Sequence, residues 1–376
     1  MPALKHLIQK AGLEALYFSG ASKLLRPLAK GVGAVLMLHR VRPRRSEAFQ
    51  PNEALEVTPR FLERTIKWLR HNGYEFISMD EMRTRLVKEE FDRRFVTITL
   101  DDGYRDNKIW AQPILAKYGV PYTIYVPTDF ADGVGHLWWL ALESIVADND
   151  RVDIDGCAIA CSSVSEKLRA YATLQKMVVD QPSQADEMDF IRRLTERYRY
   201  DQTSAARSIC LNWAEIQELA RDPLATIGAH TVTHPVLAKE EDSIVRAEFR
   251  QSRDILQKKL QTEVRHLAYP YGSADAVGPR EFAIASEVGY ETAVTTRPGV
   301  LTASDAGRLM ELPRINLDGK FQRERHLDAL LSGVAPAVWN GIRSVTIPVS
   351  QSRVWACALS APGLDLPRVV SSTLPL

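Results

Sequence analysis

The run Phe95-Val96-Thr97-Ile98-Thr99-Leu100 ends directly in Asp101-Asp102-Gly103. A β-branched, nearly all-apolar run of this length reads as a strand covered on both faces, which points to a parallel sheet in an α/β fold. In such folds, sites are built beyond the carboxyl ends of the strands. Two adjacent aspartates placed there repel each other and lose solvent, so a compensating cation is expected. The competing explanation is a plain turn, since Asp and Gly are favoured in turns for backbone reasons.

Ligands for such a cation are offered by His230 and His234 in Ile227-Gly228-Ala229-His230-Thr231-Val232-Thr233-His234-Pro235. Two imidazoles four positions apart can meet on one face of a helical turn, or in a compact loop that Pro235 keeps from continuing as a helix. With one carboxylate they make a two-His, one-carboxylate set with open positions, suited to zinc or another divalent transition metal. Alone, a His pair is a weak signal, and surface or core histidines would explain it. The strand-like Ala225-Thr226-Ile227-Gly228 before it puts both halves on one rim.

Apolar and helical segments alternate along the chain. Strands are expected near 34–39, 74–78, 95–100, 121–126, 225–229, 265–269, 291–295 and 311–315, with helices near 58–71, 107–118, 242–262 and 279–288. This is an α/β barrel pattern, and the barrel domain is placed at 31–330. About one hundred residues separate Pro127 from Ala225, too many for an ordinary connection. A mainly helical insertion is therefore expected at about 136–212, with helices at Leu140 to Val146, Val164 to Val179 and Asp186 to Tyr200. Trp138 and Trp139 open it, to stack on sugar rings or to pack against the barrel. From 331 to 376 the chain is expected to be an irregular tail.

A third motif follows, Tyr269-Pro270-Tyr271-Gly272. The series Thr99-Leu100-Asp101-Asp102-Gly103, His230-Thr231-Val232-Thr233-His234-Pro235 and Tyr269-Pro270-Tyr271-Gly272, in that order, closely resembles the polysaccharide deacetylases of carbohydrate esterase family 4, the NodB-homology group. The resemblance covers roughly residues 33 to 320, and three motifs in register are far more specific than one. It implies a NodB-like distorted (β/α) barrel and one divalent metal ion, zinc first, with cobalt, nickel or iron as alternatives. It further implies Asp101 as general base, and Asp102, His230 and His234 as metal ligands. The Tyr271 backbone N–H, next to Pro270, would stabilise the oxyanion.

Two departures from the family pattern stand out. The arginine that usually pairs with the base, two positions before the proline of the third motif, is replaced by Ala268. Arg314, in Glu311-Leu312-Pro313-Arg314-Ile315-Asn316, is the best substitute, with a surface ion pair as the competing explanation. The usual Leu-x-His strand near the carboxyl terminus is also missing after Arg314. His326, among Arg323, Glu324, Arg325 and Asp328, is expected on an exposed helix. An apolar strand ending in Leu38-His39 lies instead upstream of every other motif, so a circular permutation is expected with His39 as the general acid. A closed sheet permits this, because its first and last strands can be neighbours.

The resemblance implies hydrolysis of an N-acyl group, most simply N-acetyl, on an amino sugar of a glycan or lipid-linked precursor such as a chitooligosaccharide. The alternatives are hydrolysis of another C–N bond of deformylase or cyclic-amide type, a mononuclear iron oxygenase, and an inactive glycan-binding relative. The formal charge is +1, from 48 basic and 47 acidic residues, so no global field steers the protein to nucleic acid. Four cysteines without a CxxC pair read most simply as reduced thiols in a cytoplasmic protein. The first 30 residues differ in character: Leu4, Leu7, Ile8, Ala11, Ala15 and Leu16 recur at helical spacing among Lys5, Lys10, Lys23, Arg26 and Lys30. This basic amphipathic segment either rests on an anionic membrane surface or packs against the barrel.

Overall fold

The computed structural model describes residues 2–345. Strand Phe95–Leu100 is buried along its whole length and pairs in parallel with Gly33–Leu38 on one side and Tyr122–Val126 on the other. From there the sheet runs through Ala225–Ala229, His266–Ala268, Thr292–Pro298 and Leu312–Asn316. Leu36 and Met37 of the first strand pair with Ile315 and Asn316 of the last, so seven parallel strands close a barrel. Closure at this seam is what the permuted motif order demands. An eighth strand, Glu75–Phe76, pairs beside the start of Phe95–Leu100.

Strand periodicity explains the two layers of core. Val96, Ile98 and Leu100 pack outward with helix residues such as Leu62, Ile66 and Leu115. Phe95 turns inward beside Val35, Tyr125, Val294 and Leu312. The Tyr125 ring fits because its neighbour is Gly228, where a Cβ would come within 2.5 Å of it. Ile77 and helix Met79–Lys88, through Met79, Met82 and Leu86, close this inner cluster at the end where the strands begin. The carboxyl ends of the strands form the opposite rim.

The insertion has a core of its own, including Leu142, Val146, Leu174, Val178, Phe190 and Leu194. Helices Trp138–Asp148, Val164–Val179 and Gln184–Arg197 agree with the expected ones, and Gln202–Ile209 adds a fourth. A hairpin, Arg151–Ile154 paired with Cys157–Ala160, was not expected. Its turn residues Asp155 and Gly156 have φ of 47° and 79°, and an Asp-Gly pair with both φ positive suits a two-residue hairpin. A short polar chain docks the insertion on the barrel. The Tyr171 hydroxyl donates to Asn52 Oδ1 (2.8 Å), Asn52 Nδ2 donates to Glu143 (2.8 Å), and Arg45 donates to Glu143 (2.6 Å).

Helix Pro2–Phe18 buries Leu13 and packs Leu16 on the core, and leaves Leu7 and Ile8 63% and 62% exposed. Three further expectations need correction. His326 is buried, 2.9 Å from Glu14 of that first helix. Within the segment expected to be irregular, Val334–Val345 is helical because Val334, Ala335 and Trp339 fall on one face and pack on the protein; residues 346–376 lie outside the described residues. Of the described cysteines, Cys161 and Cys210 are free and buried, whereas Cys157 is disulfide-bonded, so these are not all the reduced thiols expected. Among the described residues, no helix is long and apolar enough to cross a membrane.

Glu14 makes the docking of the first helix acid-sensitive. Hydrogen bonds from Arg325 hold its carboxyl down at about 2, against a smaller opposing effect of burial. A folded value below the unfolded one means that the contribution is present above about pH 4.5 and is lost as the pH falls toward 2. Amide protection of helix Pro2–Phe18 should fall across that window more steeply in the wild type than in Glu14→Gln. Equal pH dependence in the two proteins would contradict this.

Candidate functional site

The rim is assembled from strand ends. Asp101 and Asp102 follow Phe95–Leu100, and the Asp101 N–H donates to Leu38 O at 2.9 Å, which sets His39, the residue after the first strand, alongside. His230 follows Ala225–Ala229, the neighbour of Tyr122–Val126. The turns are tight: Asp102, Thr231, His234 and Tyr271 all have positive φ, between 59° and 68°. Non-glycine residues held in this region cost about 1–3 kcal/mol each and persist where the surroundings over-determine them.

Asp102, His230 and His234 are buried together, with one ligand atom of each within 4.8 Å of the others. Nε2 of each histidine lies 3.4 Å from Asp102 Oδ1. That distance is long for a hydrogen bond, and Asp102 Oδ1 is left buried without one among the described residues. An orphaned carboxylate oxygen facing two imidazole nitrogens is the donor set of a divalent transition metal. The backbone supports this tautomer. His230 Nδ1 lies 2.7 Å from Ala268 O; a carbonyl can only accept, so Nδ1 carries the proton and Nε2 is free to ligate. Burial pushes the His234 imidazole down, past the opposing pull of Asp102, which favours the neutral ligand form. Burial pushes the Asp102 carboxyl up, but the adjacent imidazoles of His230 and His234 hold it well below the usual range.

Arg314, fully buried, crosses to Asp101. Its Nη1 and Nη2 donate to the two carboxylate oxygens at 2.8 and 2.7 Å, while Nε donates to Thr295 O (2.8 Å) and Nη1 also to Thr99 Oγ1 (3.2 Å). This is a buried fork pair, not a surface ion pair. Burial raises the Asp101 carboxyl and the Arg314 charge more than reverses that, leaving it below the usual carboxylate range. Arg314→Met should therefore destabilise the fold by about 3–5 kcal/mol by stranding a buried carboxylate, with part regained in Asp101→Asn/Arg314→Met. The check is chemical denaturation, and a single-variant loss below about 1 kcal/mol would contradict the account.

Above these groups lies a cavity of about 540 Å³, of a size usual for small-molecule sites. Its lining includes His39, Asp101, Asp102, His230, His234 and Tyr271. Pro270 is buried behind Tyr271, and the Tyr271 N–H has no acceptor among the described residues. Trp138 and Trp139 also line the cavity, but both are buried, and their indole N–H groups donate to Tyr271 and Tyr104 hydroxyls at 2.9 Å. These bonds hold both rings in place in the cavity wall. Trp139, Phe130 and Tyr271 surround His234, with ring centroids 5.6, 5.7 and 5.0 Å away.

Sequence reasoning missed much of the wall. Tyr104 and Phe130, which back the wall residues Trp139 and His234, carried no signal beyond their hydrophobicity. Tyr171, Leu168 and Arg169 come from helix Val164–Val179, and Lys320 from the loop after Leu312–Asn316. Only the fold brings these segments to the rim.

A family model described as polysaccharide deacetylase matches residues 88–293, more than half of the chain. The Bacillus subtilis protein YxkH, named as a polysaccharide deacetylase, is 34% identical over 93 residues, covering 24% of this chain and 32% of that protein. The match thus spans about a third of the relative's length. Among solved structures, the Streptococcus pyogenes deacetylase PplD in complex with acetate has a TM-score of 0.54 at 20% identity, over 79% of this chain and 97% of that one. The de-N-acetylase from Aggregatibacter actinomycetemcomitans has a TM-score of 0.52 at 13% identity, over 79% and 99%. At these identities the structural likeness speaks to the fold.

Proposed function

Because the chain belongs to the polysaccharide deacetylase family, we propose that it is a metal-dependent hydrolase removing N-acetyl groups from an amino sugar in a glycan or a lipid-linked glycan precursor. The observation that carries this is the buried Asp102–His230–His234 group beside the Asp101–Arg314 pair on one cavity wall. The family match begins after His39 and ends before Arg314, so the roles of these two rest on the motif resemblance and on where the strands place them.

Asp102, His230 and His234 would hold the ion, zinc first by their donor set. A divalent ion bound there supplies Lewis-acid polarisation of a carbonyl oxygen and acidification of a water. Asp101, kept ionised by Arg314, takes the proton of the attacking water as its oxygen bonds to the acetyl carbon. The Tyr271 N–H donates to the carbonyl oxygen as negative charge builds on it. His39 gives a proton to the departing nitrogen, the C–N bond breaks, and acetate and a free amine leave.

The charge and polarity of the wall support a charged or lipid-linked substrate. Arg169 and Lys320 line the cavity without an ion-pair partner among the described residues, next to the aliphatic Leu55 and Leu168. A sugar borne on a phosphate and a hydrocarbon offers both complements. The first two helices support contact with an anionic membrane surface. Phe18, Leu24 and Leu28 are 73%, 79% and 89% exposed, near Lys23 and Arg26.

The test is a panel of N-acetylated, N-formylated and cyclic-amide compounds, including N-acetyl chitooligosaccharides with and without a phosphate. Product amine and released acid would be measured by mass spectrometry. Acetate and free amine in equal amounts from an acetamido sugar are expected; hydrolysis confined to formyl or cyclic amides would reassign the reaction.

A further inference from the structure

The loop between the two histidines is held from outside by side chains of two separate elements, and both converge on Thr233. Glu248, a buried residue of helix Asp242–Leu260, accepts the N–H of Val232 (2.7 Å) and of Thr233 (3.1 Å) on one carboxylate oxygen. Its other oxygen lies 2.8 Å from the Thr233 hydroxyl. Gln184, the first residue of insertion helix Gln184–Arg197, donates through Nε2 to the Thr233 carbonyl (3.1 Å) and to Thr233 Oγ1 (2.8 Å). Gln184 Oε1 also lies 2.9 Å from that hydroxyl. The hydroxyl has one proton, and the charged acceptor, Glu248, is the stronger claimant. Gln184 is itself pinned, its N–H donating to Glu240 at 2.8 Å.

The position of these contacts matters. Thr231 and His234, either side of the clamped residues, hold φ of 67° and 64°. The internal bond from the His234 N–H to Thr231 Oγ1 is 3.1 Å long and leaves the Val232 and Thr233 N–H groups for an outside partner. Glu248 satisfies both with one carboxylate and so fixes the direction in which His234 leaves the loop. Groups behind metal ligands orient them and tune affinity.

We propose that Glu248 is a positioning residue for the histidine pair, and that Gln184 ties the insertion walling the cavity to the same loop. This rests on the metal-binding reading above. The experiment uses the full chain and zinc alone, with the dissociation constant measured by competition with a chromophoric chelator and apo-protein melting followed alongside. Glu248→Ala should weaken zinc binding about 10–100-fold in a protein that still folds, with the apo melting temperature lowered because the Val232 and Thr233 N–H groups lose their acceptor. Glu248→Gln, which keeps one acceptor oxygen, should recover much of the loss. If the Ala variant does not fold, the Gln variant decides, with a loss of about threefold or more expected. Gln184→Ala should cost a smaller factor. Wild-type affinity in folded Glu248 variants would overturn the assignment, and unchanged affinity in Gln184→Ala would remove the second tie. A wild type that binds no zinc would sink the metal reading itself, an outcome distinct from either.

Discussion

Asp101→Asn should retain its metal and lose about two to four orders of magnitude in turnover, the range associated with a positioned general base. The carboxamide has nearly the same shape but cannot take the proton of water. Asp102, His230 and His234 remain in place, so metal content should match that of the wild type. Asp102→Ala should behave differently, losing the ion together with the carboxylate oxygen that faces both imidazoles at 3.4 Å. Adjacent residues thus have separable jobs because Arg314 takes both oxygens of Asp101 and neither of Asp102. Equal metal loss in the two variants, or an Asn variant within tenfold of wild-type rate, would undo the assignment.

His39→Ala should fold and bind metal normally yet lose about two to four orders of magnitude on an unactivated amide. Expulsion of an amine needs a proton on nitrogen, and Asp101 is committed to the water side by its pairing with Arg314. His39 follows the strand between those carrying Asp101 and Arg314, and it lines the same cavity. An activated ester, whose leaving group departs without a proton, should show a much smaller loss. Comparing the two substrates separates proton donation from damage to the site, which would slow both alike. Similar losses on both, or near-normal amide hydrolysis, would take His39 out of the mechanism.

The barrel was legible because parallel strands buried on both faces leave continuous apolar runs. Phe95–Leu100, Tyr122–Val126 and Ala225–Ala229 agree with the expected strands to within one residue. Arg314 could be picked out only as an arginine in a strand-like segment, a candidate to replace the one missing at Ala268; its reach to Asp101 depends on barrel closure, which no local pattern encodes. The hairpin at Arg151–Ile154 and Cys157–Ala160 was missed because four-residue strands are too short to show a period against helical neighbours. His326 was misjudged because its charged sequence neighbours suggested solvent, whereas the first helix covers it and supplies Glu14. Glu248 lay hidden in a helix rich in charge. A carboxylate that turns inward to brace a loop looks, in sequence, like any solvated one.

The central claim is that Asp102, His230 and His234 bind one ion on which deacetylation depends. The most direct test strips the full-length protein with a chelator, adds back zinc in increments, and follows acetate release from an N-acetylated chitooligosaccharide against bound metal. Activity should be absent in the stripped protein and rise linearly to a plateau at about one ion per chain, with Asp102→Ala showing neither tight binding nor recovery. Full activity in metal-free protein, or a plateau reached equally by Asp102→Ala, would contradict the account.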